Sequence, residues 1–299
     1  MLSFFRSWRE RGWSPISADE YRSAWQEFGG SVITHPDFVE RLSDLAGIPV
    51  AYLGWQVDGQ LKAAVAAWGR ELALSKAGLK KHGKRRLFDL GNAEVILPQA
   101  AHTEIALRHR TEFVSALHEG RICTLKAQKQ ELALAREPEE YSKKFRYNQR
   151  RELRLLEEQG GELLPFTELS SSQQAQIYSD LFEQRWGFAT PGKEYLAEVL
   201  ELLRPYLVGS YICINGQPAA AQILYRVESP DWISVEYING GVDPQFNELS
   251  PGSVLTWVNT QAEWEHARAQ GKALRYSFGR ADREYKDRWC HRVPVFEVA

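Results

Sequence analysis

Two β-hairpin signals, one in each half of this 299-residue chain, limit its fold more than any other feature. In the first half Asp58-Gly59 separates two apolar runs, and in the second half Asn215-Gly216 does the same. Such pairs between apolar runs predict type I′ turns that join antiparallel strands. Each hairpin follows two predicted helices, so the halves resemble copies of one α/β unit, a mixed sheet flanked by helices.

The chain divides into an arm and two domains. Residues 126–138 are polar and end at Pro138, which predicts a boundary there. We therefore expect an N-terminal arm over 1–20, a first domain over 21–137 and a second over 138–299. Bulky aromatic residues alternate with arginines in residues 1–13, as in an interfacial membrane anchor. The alternative is an arm that packs on its own domain.

Periodicity assigns the remaining elements. A helical stretch is expected from about residue 103 to 118, and a strongly charged helix from 139 to 159. In the last third, a strand over 232–239 precedes a helix that ends at Gly271. Further strands are expected over 274–278 and 293–298.

Composition excludes several classes of protein. With 43% hydrophobic and 25% charged residues, the chain is typical of globular proteins, and it has no apolar run long enough to span a membrane. The net charge of −2 provides no general attraction to nucleic acid. Three scattered cysteines without a CxxC motif indicate reduced thiols in the cytoplasm, and no residue spacing typical of a metal site occurs. We expect no signal peptide and no metal.

The joint between residues 237 and 252 has the context of an anion site. A strand ends there and a helix begins, with Ser250 as the predicted cap, Pro251 in the first turn and Gly252 behind it. The amides of Gly252 and Ser253 would face a ligand at the end of the strand. The alternative is an ordinary capped helix.

A second candidate for phosphate binding stands in the wrong context. Arg268-Ala-Gln-Gly-Lys-Ala273 fits the loop by which acetyl-CoA-dependent acyltransferases hold pyrophosphate. That loop has to open a helix, because only a helix N-terminus offers free amides. Here it closes one, and Gly271 is explained as the residue after a helix C-cap.

Three arginines of the charged helix fall on one face. Arg146, Arg150 and Arg154 are spaced four residues apart, which suits the chelation of a phosphate or carboxylate. The alternative is a solvated face that also carries glutamates.

The last strands offer candidates for the chemistry of acyl transfer. Lys286 stands between Tyr285 and Trp289, where it could neutralise charge on a reaction intermediate. Glu236 and Tyr237 alternate on one strand, so one of them faces inward, and Glu236 could serve as a base for an amine. The alternatives are a lysine that lies over aromatic rings and a solvated glutamate.

These features together resemble a known group of proteins. Arg146-Tyr-Asn-Gln-Arg-Arg151 followed by Gly160-Gly161 is similar to the "R-x-x-x-R-R … G-G" segment of Fem-type proteins, which have a double acyltransferase fold. The later Asn-Gly hairpin, the Ser-Pro-Gly helix and Tyr285-Lys286 follow in a similar order. With Gly29–Pro36 near its start, the whole chain looks most like the macrophage-induced-gene (Mig) family of Gram-negative antimicrobial-peptide-resistance proteins.

The resemblance implies two tandem GNAT-like (acyl-CoA N-acyltransferase-like) domains and a place at the cytoplasmic face of the inner membrane. Fem-type relatives transfer amino acids from aminoacyl-tRNA, and Lys286 matches the lysine of their "F-K" motif. Arg280 stands where their "F-G-G" motif has its second glycine, and this chain lacks the long helical hairpin of the tRNA-dependent enzymes. Both differences argue that tRNA is not the donor. Arg280 joins the candidates for phosphate binding.

Two functions remain open from the sequence. The first is an acyl- or aminoacyltransferase that uses acyl-CoA or aminoacyl-tRNA to modify an envelope glycolipid, such as lipopolysaccharide, or its precursor, and so contributes to resistance to cationic peptides. The second is a non-catalytic, membrane-associated binding protein on the same fold.

Overall fold

The computed structural model describes residues 11–299. The aromatic and basic residues that were predicted to form a membrane anchor lie largely outside this range. Residues 11–299 contain eight α-helices: α1 (Ala18–Phe28), α2 (Pro36–Ala46), α3 (Lys76–Lys81), α4 (Lys143–Glu158), α5 (Ser171–Trp186), α6 (Leu196–Leu202), α7 (Pro251–Ala269) and α8 (Glu284–Asp287). None of the helices in this part of the chain is long and apolar enough to cross a membrane.

The same residues form thirteen strands in two sheets. The strands are β1 (Trp13–Pro15), β2 (Ala51–Val57), β3 (Gln60–Trp68), β4 (Glu71–Leu72), β5 (Thr111–Ser115), β6 (Lys126–Ala135), β7 (Gly161–Pro165), β8 (Leu207–Val208), β9 (Ser210–Ile214), β10 (Gln217–Glu228), β11 (Trp232–Val242), β12 (Ala273–Arg280) and β13 (Cys290–Val298). Both predicted hairpins are present, as β2–β3 and β9–β10. Their turn residues have the positive φ angles of a type I′ turn: 50° at Asp58 and Asn215, 76° at Gly59 and 78° at Gly216.

The first sheet is antiparallel, in the order β1-β2-β3-β4. Its first strand belongs to the predicted arm. Trp13 has no exposed surface, and its indole nitrogen donates to the carbonyl of Ala106 at 2.9 Å. The end of the arm therefore packs on its own domain.

The second sheet is mixed and has nine strands, in the order β5-β13-β6-β12-β11-β10-β9-β7 with β8 paired to β10. Among these pairs β11 and β12 run parallel, and they are joined by α7. The strands β5 and β6 precede the predicted boundary at residue 138, yet they pair with β13, and β6 also pairs with β12. The two halves thus share a sheet, while the division at residue 138 stays a prediction.

Helices cover both faces of the large sheet, as the α/β prediction requires. Ile223 and Tyr225 of β10 lie in the same apolar cluster as Phe182 of α5. Leu224, between them in sequence, belongs to the cluster of Trp257 in α7. Because alternate residues of a strand point to opposite faces, α5 and α7 lie on opposite sides of the sheet.

One predicted element is wrong. Residues 103–118 do not form an α-helix; they contain an extended segment, then β5 and a short 3-10 turn at Ala116–His118. Every second residue is buried: Ile105, Leu107, His109, Thr111 and Phe113. A period of two belongs to a strand, and the apolar content of this stretch obscured that period.

Candidate functional site

The site begins where two parallel strands separate. β11 and β12 are paired from Trp232 and Ala273 as far as Glu236 and Ser277. Beyond that point β11 continues to Val242 without pairing to β12, so the sheet opens at the carboxyl ends of the two strands. A cavity of about 440 Å³ lies in this opening, beside the first turn of α7. Open α/β sheets bind ligands at such positions.

Two glycines allow the wall of this cavity to form. The hydroxyl of Tyr237 lies so close to Gly240 that a Cβ there would be 2.6 Å from it. A Cβ on Gly241 would lie 2.4 Å from the backbone carbonyl carbon of Leu181 in α5. The end of α5 therefore approaches β11 closely enough to bring its last residues to the cavity.

Two arginines that are far apart in the sequence line the cavity. Arg185, near the end of α5, donates from Nη1 to the carbonyl of Gly240 at 3.1 Å. Arg288 follows α8, and its guanidinium lies 5.2 Å from the centre of the Phe145 ring. Within residues 11–299 neither arginine makes an ion pair. Since no glutamate or aspartate lines the cavity, its charge is positive.

Tyr237 remains protonated in this environment. Its ring is buried and lies 5.0 Å from that of Phe278. Burial raises the pKa of the Tyr237 hydroxyl, and the positive charge of Arg185 opposes that rise without cancelling it. The hydroxyl is therefore a hydrogen-bond donor at neutral pH.

The floor of the cavity is a closed hydrogen-bond network between β10 and α7. Gln222 donates to the hydroxyl of Thr256 at 2.8 Å and accepts from Asn259 at 3.0 Å. Thr256 in turn donates to the carbonyl of Gly252 at 2.8 Å. All three side chains are satisfied, so the floor holds the first turn of α7 in place rather than offering free groups to a ligand.

The first turn of α7 differs from its prediction. Ser250 does not cap the helix: its φ is 50° and its side chain accepts no capping hydrogen bond. Its carbonyl instead accepts from the amide of Ser253 at 3.0 Å. The amide of Gly252 donates to no acceptor among the described residues. One of the two predicted free amides is thus available, and both Ser250 and Gly252 line the cavity.

Glu236 lies outside the cavity, because it faces the other side of the sheet from Tyr237. It is 2% exposed and accepts from the amide of Glu94 at 2.8 Å. Burial raises its pKa well above the usual range, and the neighbouring carboxylate of Glu94 adds to the rise. Arg275, the nearby cation, forms an ion pair with Glu94.

Lys286 and Arg280 also lie outside the lining. The ammonium of Lys286 donates to the carbonyl of Arg280 at 2.6 Å and to Asp282 at 3.2 Å. Arg280 itself pairs with Asp282 at 2.8 Å. Burial lowers the pKa of Lys286, and Asp282 opposes this. These contacts close the loop between β12 and α8, which presents Tyr285 to the cavity.

The predicted arginine face of α4 is not brought to the cavity. Arg146 is half-buried, whereas Arg150 and Arg154 are exposed, and none of them lines it. The arginines that do are Arg185 and Arg288, which sequence reasoning missed. Each adjoins a tryptophan in the sequence, and that was the only local signal.

Within the described part of the chain, no group of three histidine, cysteine, aspartate or glutamate side chains could hold a metal ion. Cys213 and Cys290 are buried in strands, and Cys123 is exposed.

Comparison with known proteins identifies the family. The Mig-14 family model matches residues 35–298. No curated protein matches the sequence. Among solved structures, FemX is 9% identical over 96% of each chain, with a TM-score of 0.55.

Two other structures are also similar. The C-terminal domain (DUF2156) of a putative lysylphosphatidylglycerol synthetase from Agrobacterium fabrum is 12% identical over 95% of this chain and 93% of that chain, with a TM-score of 0.49. A tandem GNAT protein from the clavulanic acid biosynthesis pathway is 11% identical over 96% and 98%, with a TM-score of 0.46. The likeness to FemX confirms the predicted fold, and the match over residues 35–298 shows that the chain belongs to the Mig-14 family.

Proposed function

We propose that this protein is an acyl- or aminoacyltransferase that modifies an amine or hydroxyl group of an envelope glycolipid, such as lipopolysaccharide, or its precursor. One observation carries the proposal: a positively charged cavity lies between two separating parallel strands, beside a helix N-terminus with a free amide at Gly252. A donor that carries phosphate groups is attracted to such a site. Addition of an amino acid to the envelope would weaken its attraction for cationic peptides. The reaction would take place at the cytoplasmic face of the inner membrane.

Tyr237 is the residue best placed to assist the transfer. The acceptor's nitrogen or oxygen bonds to the donor's carbonyl carbon, and the donor's sulfur or ribose oxygen leaves. The proton of the acceptor passes to that leaving group or to solvent. A protonated Tyr237 hydroxyl can donate a hydrogen bond to the carbonyl oxygen as negative charge develops there. We therefore transfer to Tyr237 the role that the sequence suggested for Lys286.

The donor can be acyl-CoA or aminoacyl-tRNA, since both carry phosphates. The free Gly252 amide and the guanidinium of Arg288 fit either one. The acetyl-CoA-type motif at 268–273 closes α7 at its far end, where Gly271 follows the C-cap with a φ of 67°. It is therefore not part of this cavity.

A second candidate function is binding without catalysis. No aspartate, glutamate, histidine or cysteine lines the cavity, so a strong general base is missing from its wall. A transferase at this site needs an acceptor amine that arrives uncharged. A binding protein needs no such condition.

Mass spectrometry of the envelope separates the two functions. Lipopolysaccharide and cell-wall precursors are compared between wild type, a deletion strain and strains complemented with Tyr237→Phe or Tyr147→Phe. Both substitutions remove one hydroxyl, but Tyr147 is 56% exposed on α4, away from the cavity. We expect the deletion and Tyr237→Phe to lack a mass increment that wild type and Tyr147→Phe contain. Identical masses in wild type and deletion would refute the transferase and favour the binding protein.

A further inference from the structure

Two arginines and two aromatic rings are stacked at the mouth of the cavity. The guanidinium carbon of Arg185 lies 4.6 Å from the centre of the Trp186 ring and 5.9 Å from that of Tyr285. The guanidinium carbon of Arg283 lies 6.0 Å from the Trp186 ring. These four residues come from α5 and from the start of α8, and we refer to them as the arginine–aromatic stack.

No acidic side chain neutralises the stack. Within residues 11–299, neither Arg185 nor Arg283 makes an ion pair. None of the three nearest acidic residues in sequence pairs with these arginines: Glu183 pairs with Lys193 at 2.7 Å, Asp282 pairs with Arg280 and Lys286, and the exposed Glu284 makes no ion pair within the described residues. Two guanidiniums without an acidic partner, both close to the Trp186 ring, create a local excess of positive charge that a bound anion would neutralise.

The geometry leaves the hydrogen-bonding edges of the arginines available. An arginine that contacts an aromatic ring uses the face of its guanidinium, so its N–H groups stay free to bind in the plane. Arg185 donates from one nitrogen to the carbonyl of Gly240 and also hydrogen-bonds the Tyr237 hydroxyl, which leaves part of its five N–H groups for a ligand. Planar forks of this kind bind the oxygens of phosphate groups in pairs.

The stack is open to solvent and continuous with the cavity. Arg283 is exposed, Tyr285 is 39% exposed, and Arg185 and Trp186 are half-buried. Arg185 and Tyr285 also line the cavity. A group held by the stack therefore lies at the entrance, with the rest of its molecule able to extend inward past Tyr237.

We infer that the arginine–aromatic stack is a binding site for a phosphate ester group carried by the acceptor of the transfer. Two guanidiniums suit a phosphate monoester, which presents three oxygens and up to two negative charges. The assignment to the acceptor rests on the proposed function; the binding of phosphate does not. The ester can belong to a lipid headgroup or to a soluble molecule, and the chemistry recognised is the same.

Titration calorimetry with two probes tests this site. The soluble probe is glycerol 3-phosphate. The lipid probe consists of phosphatidylcholine vesicles that contain about one fifth phosphatidic acid, and vesicles of phosphatidylcholine alone are its control. Both titrations are carried out in about 0.15 M salt. Arg283→Gln removes one arginine of the stack. Arg185→Lys keeps the charge but loses the planar fork. Arg151→Gln is the matched control, because Arg151 is likewise exposed and without an ion pair among the described residues, but lies on α4.

We expect Arg283→Gln and Arg185→Lys each to weaken binding about tenfold or more, because each loses one charge-assisted hydrogen-bonded contact with the phosphate. Arg151→Gln should bind as wild type does. Binding of both probes indicates recognition of the ester alone, and binding of the vesicles alone indicates a lipid-borne ester. Failure of wild type to bind either probe, or an equal loss in Arg151→Gln, would overturn the inference. The mass-spectrometric test does not depend on this result, so the two proposals can fail separately.

Discussion

Glu236→Gln should change how the stability of the protein depends on pH. Glu236 is 2% exposed and accepts from the amide of Glu94, while the carboxylate of Glu94 is paired with Arg275. Arg275, the cation near Glu236 among residues 11–299, is thus already neutralised by another carboxylate. Because burial and Glu94 together raise its pKa, Glu236 keeps its proton in the folded protein above the pH at which it loses it in the unfolded chain.

The magnitude follows from counting protons. Above the ordinary carboxyl pKa of about 4.3, and up to the raised folded pKa, the folded state holds one proton more than the unfolded chain. In that window the free energy of unfolding falls by about 1.4 kcal/mol for each unit of rising pH. Glutamine keeps the acceptor for Glu94 and imitates the protonated carboxyl group, so it removes this slope. In that window the stability of the variant relative to wild type should therefore increase by about 1.4 kcal/mol for each unit by which the pH rises.

Urea denaturation at several pH values between about 5 and 8 measures this difference, with free energies obtained by linear extrapolation. Glu248→Gln controls for the loss of one carboxylate, since Glu248 is exposed on the turn before α7. A stability difference between Glu236→Gln and wild type that stays constant over the whole range would refute the argument. Glu236 would then be ionised in the fold.

Two further predictions concern residues whose surroundings are now known. Asn215→Ala should lower the free energy of unfolding by about 1 kcal/mol, because alanine is strained at a φ of 50°. Asn215→Gly should lower it less. Equal losses of unfolding free energy in the two variants, measured by urea denaturation, would contradict this. Lys286→Met should lower the free energy of unfolding by about 1–3 kcal/mol, because the buried ammonium donates hydrogen bonds to the Arg280 carbonyl and to Asp282. The control Lys76→Met removes a lysine from an exposed ion pair and should cost under about 1 kcal/mol. A Lys286→Met variant as stable as wild type would show that these contacts do not hold the loop.

The parts of the fold that could be predicted are those with a local cause. Asp58-Gly59 and Asn215-Gly216 form the expected turns because few residues other than asparagine, aspartate and glycine tolerate their backbone angles. Gly271 ends α7 as expected for the same reason. The segment 103–118 was assigned wrongly because its apolar content obscured the period of two with which its residues are buried.

The residues of the site that could be predicted from the sequence are likewise those with a local cause. Tyr237, Ser250 and Gly252 were found because a strand followed by a helix start is a local pattern. Glu236 and Lys286 are of residue types that catalysis requires, but both already have hydrogen-bond partners. Glu236 accepts from the amide of Glu94, and Lys286 donates to the loop after β12. A sequence shows which groups could act and does not show which of them already have partners.

The sequence alone therefore determined the family, the α/β class, both hairpins and the strand-to-helix joint at 237–252, since each depends on residues close together in the chain. Only the tertiary structure decided where β11 leaves β12 and which side chains meet in the opening. Arg185 and Arg288 are separated by more than a hundred residues, and α5 and α8 bring them to one cavity. Their meeting depends on the packing of two helices against a shared sheet, which no local pattern encodes.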